Sequence, residues 1–523
     1  MKNKIRSLSF QPATEEIKTV RAGSFKEQAR RAIRKNIYRW HRILGLLAIV
    51  PTIFWTASGV MHPFMSHWFK TKIANEFYKA EIVSPTDVKL SLGQVVIQNK
   101  VTEFKNFRLV KFDGSSYYQV KDANDQLRYF DTKNGAELTD GDQKYAGNMA
   151  RFMLNDNKSK VASFTYLTEF TDEYKFVNRY LPVWKVSFAD DRQMDIYVET
   201  AQSRFATFND GPRRAFVRIF SLFHNWGFLD LIGNNTLRIT LMLTFLSLII
   251  FSAVAGLVIY GLMWGKLKPS KSGNPGSILR KYHRSIGVWS SIVTFTFAFS
   301  GAYHAIQKLD PDERLKYVYD PVIKTEEIAQ ASMIDLTGVA NISLIKWGEK
   351  LFWQAIKKDW ETNETIVDYI NVKDGTNLED GNFRYAKYLA RKFAAQEERN
   401  AESCCDLMEA QISSPISDAP APKTSMVTGF AGEYGFVNKR LPVVKLAYDT
   451  PEHTTYYIET ATSRLSTKVE DANRREGFSF AFLHKYSYLD FLGKDMRDGI
   501  MTFAAFSVLV VSILGFLVFL KIK

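Results

Sequence analysis

Six of the eight histidines in this 523-residue chain fall into three pairs. His41 and His283 sit in Trp40-His41-Arg42 and Tyr282-His283-Arg284. An apolar run follows each, ending in Ser58-Gly59-Val60-Met61-His62 and in Ser300-Gly301-Ala302-Tyr303-His304. In both stretches the two histidines are 21 residues apart, and 242 residues separate one copy from the other. His224 and His484 make the third pair, 260 residues apart. A neutral imidazole is a ligand for haem iron and for other transition metals. Imidazoles on both faces of a haem fill its axial positions, which suits electron transfer.

The spacing suits a membrane. Twenty-one helical residues rise about 31 Å, roughly one hydrocarbon core, so each run carries a histidine near either surface. Twenty-one is also three heptads, which turns both histidines toward one neighbour in a left-handed bundle. At about 100° per residue from His41, Gly45 falls near 40°, Gly59 near 0° and His62 near 300°. Gly287, Gly301 and His304 repeat this from His283. Imidazole at both ends with glycine just inside can hold a flat macrocycle between helices.

The inner pair, His41 and His283, can clamp one iron if the two helices meet. The outer set leaves two solutions open: His62 with His304, or either of them with His224 or His484. The plain alternative is that these histidines anchor helix ends at the interface. Three matched pairs on or beside apolar runs favour ligation. Zinc or non-haem iron would want carboxylate or thiolate company, which the runs scarcely contain. Asp230 and Asp490, six residues past His224 and His484, are candidate acceptors for an imidazole N–H or helix caps. Cys-x-x-Cys-His does not occur, which excludes c-type attachment. Arg42 and Arg284 can pair with haem propionates, or hold the helix ends on the cytoplasmic side. Trp40, Tyr282 and Trp55 fit an interfacial aromatic belt. His67 and His453 have no mate and are set aside.

Four stretches are apolar and long enough to cross a bilayer: residues 37–63, 237–263, 285–305 and 499–520. The net charge of +14 is not spread as in a nucleic-acid binder. It gathers in the tail 1–36, in the link 264–284 (Lys266, Lys268, Lys271, Arg280, Lys281) and at Lys521-Ile522-Lys523. The positive-inside rule places all three in the cytoplasm and segments 64–236 and 306–498 outside. In a bacterium this is a multi-pass inner-membrane protein with cytoplasmic termini and two periplasmic domains. The first apolar run starts late, is full length and has no small-residue cleavage site, so it reads as a span rather than a signal peptide. Pro51 is a candidate kink, and Phe25–Tyr38 a surface-lying helix.

The segments outside read as α+β. Phe107–Val110 and Tyr117–Val120 alternate like strands, and Asp131–Gly135 reads as a hairpin turn in which Asn-Gly supplies positive φ. Tyr145, Met149 and Phe152 form a helical stripe, and residues 213–225 a short amphipathic helix ending beside His224, read as interfacial. Tyr129–Gly135 matches Tyr369–Gly375, Phe176–Val183 matches Phe436–Val443, and Tyr197–Thr200 matches Tyr457–Thr460. The offset grows from 240 to 260, which places an insertion near 395–424. That insertion carries Cys404, Cys405, Pro415, Pro420 and Pro422 and is expected to be a mobile loop. The two adjacent cysteines give no disulfide framework. The fold expected is a four-span helical membrane bundle with two α+β domains, arranged as an internal tandem duplication.

With these residues in view, the chain resembles the PepSY-associated transmembrane family. Tyr38-Arg39-Trp40-His41-Arg42 with Gly45, the Ser58-Gly59 to His62 end, and Tyr282-His283-Arg284 with Gly287 carry the likeness. The family includes inner-membrane siderophore reductases with PepSY-like periplasmic domains and two b-type haems. The resemblance therefore implies an oxidoreductase that takes electrons from a quinol or a cytoplasmic donor and reduces a ferric siderophore or similar ferric chelate. Two other readings stay open. A non-catalytic PepSY binding or regulatory module would be colourless, and an electron conduit to a separate periplasmic enzyme would hold haem without turning over chelates alone.

Overall fold

The computed structural model describes residues 16–68, 71–263, 275–309, 317–329, 331, 335–358, 365–404, 416 and 419–521. Residues 1–15, the lysines at 266, 268 and 271, and residues 405, 415, 522 and 523 lie outside the described residues. The chain divides into two compact units: residues 1–68, 220–310 and 478–523 form one, and residues 69–219 and 311–477 the other.

The first unit holds the spans. Among the described residues, four helices are long and apolar enough to cross a membrane: Asn36–Pro63, Asn235–Gly261, Ile278–Ile306 and Lys494–Lys521. The chain is a multi-pass membrane protein. The first span continues a helix that starts at Glu16, so the expected surface helix over Phe25–Tyr38 is part of one element 48 residues long. Pro51 lies inside that helix, which runs on to Pro63. The first span packs on the second and fourth, and the third span packs on the same two. First and third therefore face each other across the diagonal of the bundle. Small residues line the interior, with Ala48 and Ala298 buried beside Leu246 and Ile249, and Ser58, Ser290 and Ser300 buried as well. Small side chains let membrane helices approach closely, and the Ser58 and Ser300 hydroxyls bond back to their own helix backbone, whereas the buried Ser290 hydroxyl has no partner among the described residues.

The second unit is β-rich. Its strands are β1 Glu103–Phe112, β2 Ser115–Asp122, β3 Leu127–Asp131, β4 Val161–Leu167, β5 Val183–Phe188, β6 Asp195–Glu199, β7 Arg204–Asn209, β8 Ile323–Lys324, β9 Val339–Trp347, β10 Lys350–Lys358, β11 Thr365–Asn371, β12 Lys423–Val427, β13 Val443–Ala447, β14 Thr455–Glu459 and β15 Arg464–Val469. They form sheets ordered β3-β2-β1-β8, β11-β10-β9, β4-β5-β6-β7 and β12-β13-β14-β15. The helix Gly141–Leu154 packs Tyr145, Met149 and Met153 on Val186, Ile196 and Val198. The helix Gly381–Cys404 packs Tyr385, Leu389 and Phe393 on Val444, Leu446 and Ile458 in the same way. Every residue of β6 and β14 is buried, as expected for a central strand covered on both faces.

Two local expectations are corrected. The two-residue hairpin sits at Asp113-Gly114, where φ is +51° and +74°, as a primed turn between β1 and β2 requires. The expected hairpin turn at Asp131–Gly135 is present and closes an antiparallel bridge from Phe130 to Glu137, but only its glycine, and not Asn134, has positive φ. The insertion near 395–424 does not begin as a loop. The helix from Gly381 runs unbroken to Cys404, carrying a buried stripe of Tyr385, Leu389, Ala390, Phe393 and Ala394 at helical spacing up to the edge of the insertion.

A buried charged cluster ties the two halves of this unit. Arg440 bonds Glu459 at 2.8 Å, Arg204 bonds the same carboxylate, and Tyr180 donates to the Lys439 carbonyl at 2.6 Å. Burial alone would raise the Glu459 carboxyl. The two guanidiniums outweigh it and hold the group at about 2.

Candidate functional site

The six paired histidines all belong to the membrane unit. His41 and His283 project from the diagonal helices toward each other, with ring centroids 6.4 Å apart and planes 48° apart. His41 Nδ1 lies 2.9 Å from the Ser252 carbonyl oxygen on the second span, and His283 Nδ1 3.1 Å from the Val511 carbonyl oxygen on the fourth. A carbonyl only accepts, so each Nδ1 carries the proton and each Nε2 keeps its lone pair. Two imidazoles on one ion need roughly 6 Å between centroids, given about 2 Å per metal–nitrogen bond and about 1 Å from nitrogen to ring centre.

Two glycines that sequence reasoning missed complete this layer. A Cβ at Gly256 would stand 3.2 Å from His41 Cε1, and one at Gly515 would stand 3.0 Å from His283 Cε1. The signal was available, since both lie 259 residues apart in matched apolar runs, but glycine is common in spans. Of the glycines that were singled out, Gly45 and Gly287 pack beside Ser252 and Val511, each 3.6 Å from the nearest side-chain atom. A Cβ at Gly59 or Gly301 would meet nothing within 4 Å. Arg42 lies over the Phe519 ring at 5.8 Å, and Arg284 Nε donates to its own helix at Arg280 O, 3.2 Å away.

The other histidine layer uses serines. Ser58 Oγ lies 3.1 Å from His224 Nδ1, and Ser300 Oγ lies 3.1 Å from His484 Nδ1. Each hydroxyl donates its proton back along its own helix, Ser58 to Phe54 O and Ser300 to Thr296 O, both at 2.7 Å. The serines therefore accept from Nδ1–H, and His224 and His484 also present bare Nε2 atoms. Trp55 Nε1 fixes the His224 backbone by donating to its carbonyl at 2.8 Å. Burial, and then the charge of His484 and His62, pushes the His224 imidazole down to about 3. Burial, and then His304, pushes His484 down to about 4. Both are neutral near pH 7, the state that ligates metal.

His62 and His304 are placed differently. Phe220 lies 5.4 Å from the His62 ring and stacks on His224 at 4.5 Å. Phe480 stacks on His304 at 4.5 Å and on His484 at 4.6 Å. A phenyl ring thus contacts both members of each neighbouring pair, which disfavours His62 with His224, or His304 with His484, as joint ligands. Phe297 lies 5.3 Å from His484, whereas Phe54 packs on Phe223 at 4.7 Å. Asp490 is taken by Arg497 rather than by an imidazole, and the side chain of Asp230 lies outside the described residues. The two histidines set aside are hydrogen-bonded to carboxylates: His67 to Asp495 at 2.6 Å and His453 to Asp471 at 2.9 Å.

The donor set fits a haem. Among the described residues no three His, Cys, Asp or Glu side chains gather at one point. Haem iron asks the protein only for axial ligands, and two fixed imidazoles facing each other are the groups that would supply them. Residues 123–521 match the family described as PepSY-associated TM region. The chain belongs to the PepSY-associated transmembrane family. That family match takes in His224, His283, His304 and His484 and begins after the first span, so His41 and His62 rest on the chain's own geometry. No curated protein matches the chain.

Proposed function

We propose that this PepSY-family chain is a di-haem membrane reductase. His41 and His283 would hold one b-type haem and His224 and His484 the second, with Arg42 and Arg284 near the propionates of the first. The facing pair 6.4 Å apart, each ring tethered through Nδ1 to another helix, is the observation that carries this reading. Haem supplies a one-electron couple when bound. The protein's part is to fix the ligands before the group arrives. Carbonyl and serine acceptors set the tautomer and the ring direction, and the apolar spans keep water from the iron.

We place the β-rich unit in the periplasm of a bacterium, with the chain's ends in the cytoplasm. The basic tail and link support this topology. The matched offsets support an origin by tandem duplication. The substrate proposed is a ferric siderophore or similar chelate. One electron added to the iron gives the ferrous ion, a weaker guest for oxygen ligands, and no bond to the protein forms or breaks. The electron donor proposed is a quinol or a cytoplasmic reductant.

The test is the absorbance of detergent-purified protein, oxidised and dithionite-reduced, with haem counted as pyridine haemochrome. Two b-type haems per chain, falling to one in His41→Ala and His283→Ala, support the reading. Colourless protein from haem-replete cells sinks it in favour of a binding module. Haem without reduction of ferric chelates points to a conduit.

A further inference from the structure

The two histidines proposed to hold the second haem are not held alike. His224 is tied to the first span at two points. Trp55 Nε1 donates to its main-chain carbonyl at 2.8 Å, and Ser58 Oγ lies 3.1 Å from its Nδ1. Trp55 and Ser58 are three residues apart and so share one face of that helix. His484 is tied to the third span through its ring. Its imidazole has two acceptors there, Ser300 Oγ at 3.1 Å and the main chain of Phe297, whose carbonyl lies 3.2 Å from that hydroxyl. Trp55 and Phe297 are matched positions, 242 residues apart like His41 and His283. A phenyl ring has no N–H, so the third span cannot repeat the Trp55 bond.

The last carbonyls of a helix have no partner within it. His224 is the final residue of the helix Gly211–His224, and its carbonyl takes the Trp55 indole. The chain turns sharply just beyond. Trp226 has φ +55°, and a Cβ at Gly227 would stand 2.9 Å from Ser221 Oγ. The turn lays Trp226 on Trp55, with ring centroids 5.0 Å and planes 16° apart. Trp226 is buried, and its Nε1 has no hydrogen-bond partner among the described residues. Of two stacked indoles, one N–H therefore holds His224 and the other holds nothing. An acceptor on the ring N–H orients a ligating imidazole and raises its basicity. His484 has two such acceptors. His224 has one, and depends on its backbone being kept in place.

We infer that Trp55 is a positioning residue whose indole N–H keeps His224 on the iron of the second haem, and that the haem opens on the His224 side when this bond is lost. The ligand role of His224 rests on the di-haem reading above, whereas the hold of Trp55 on His224 does not.

The experiment compares the full chain, purified in detergent, as wild type, Trp55→Phe and Trp226→Phe. Trp55→Phe installs the residue that the third span carries at the matched place, where it lies 5.3 Å from His484 and 5.5 Å from Tyr486. Trp226→Phe keeps an aromatic ring against Trp55 and removes the N–H that has no partner. Two quantities are read. One is hydrogen exchange at the amides of residues 221–228, which needs no haem. The other is carbon monoxide bound per chain after dithionite reduction, because carbon monoxide takes an axial position only where a histidine has left it. Trp55→Phe should speed exchange roughly tenfold, the lower end of what losing an orienting partner costs, and should bind one carbon monoxide per chain. Wild type and Trp226→Phe should do neither. An unchanged spectrum of the first haem shows that the bundle is intact. Equal behaviour of the two variants overturns the inference, since the stack and not the hydrogen bond would then hold His224. Faster exchange in Trp55→Phe without carbon monoxide binding, in haem-loaded protein, overturns it as well. Faster exchange in Trp55→Phe with no haem in any sample keeps the hold on His224 and removes the di-haem reading. Two haems in every sample, with exchange and carbon monoxide binding unchanged by Trp55→Phe, does the reverse.

Discussion

His41 and His283 face each other at 6.4 Å although their helices stand on the diagonal of the bundle, and each is steered by a carbonyl on a different neighbouring helix. Four helices thus converge on two imidazoles. That arrangement makes the second and fourth spans part of the site although they contribute no paired histidine.

The first prediction tests those spans. At Gly515 a methyl group would press on His283 at 3.0 Å, and at Gly256 on His41 at 3.2 Å, whereas at Gly45 the nearest side-chain atom is 3.6 Å away. Gly515→Ala and Gly256→Ala should displace an imidazole at a cost of roughly 1–3 kcal/mol. The first haem should lose an axial ligand, seen as a shift of the reduced absorbance bands. Gly45→Ala should leave the spectrum intact. Identical spectra for all three variants would remove the role given to the second and fourth spans.

The second prediction concerns the serines. Ser58→Ala takes the acceptor from His224 Nδ1, and Ser300→Ala takes one of two from His484, whose imidazole is also hydrogen-bonded to the Phe297 backbone, without touching the first layer. Loss of such an orienting partner typically costs 10–100-fold in affinity. A redox titration should show one of two components move or vanish while the other stays. If both components move together, the serines act on the bundle as a whole.

Much of this was legible in the sequence, and the boundary has a physical cause. The spans, the histidine pairs and the strands around Phe107 and Tyr117 follow from local periodicity. The Ser–His contacts join residues more than 160 positions apart, and no local pattern encodes which helices become neighbours. Ser58 and Ser300 were in view as part of Ser-Gly and had no role until the helices were placed. Asp490 stood as a candidate acceptor for an imidazole or as a helix cap, and Arg497, seven residues on, claims it. The helix ending at Cys404 was hidden by prolines farther along the insertion.

The third prediction is a pH dependence in the β-rich unit. The Glu459 carboxyl is held at about 2 against an ordinary 4.5 by Arg204 and Arg440. A depressed folded-state value stabilises the fold above pH 4.5, and that stability is lost as pH falls from there toward 2. Glu459→Gln leaves two buried guanidiniums facing a neutral amide, at a cost of roughly 3–5 kcal/mol. Thermal melts between pH 3 and 7 should show a lower melting temperature for the variant at pH 7 and a gap that narrows on acidification. A gap constant with pH would mean the carboxylate is not the group that matters.

The last prediction decides the second pair of ligands. Phe220 and Phe480 contact both members of each neighbouring pair, and the ligands proposed are His224 and His484, whose Nδ1 atoms are tethered by Ser58 and Ser300. His224→Ala and His484→Ala should therefore each remove the second haem or leave it five-coordinate. His62→Ala and His304→Ala should keep two haems per chain, and their effect should be confined to the potential of the second, through the change in packing and polarity around its ligands. Haem counts and redox titrations of the four variants separate the cases. Loss of a haem in His62→Ala together with its retention in His224→Ala would exchange the two pairs. The His41–His283 site would be unaffected, because its tethers run to Ser252 and Val511 and to neither of these layers.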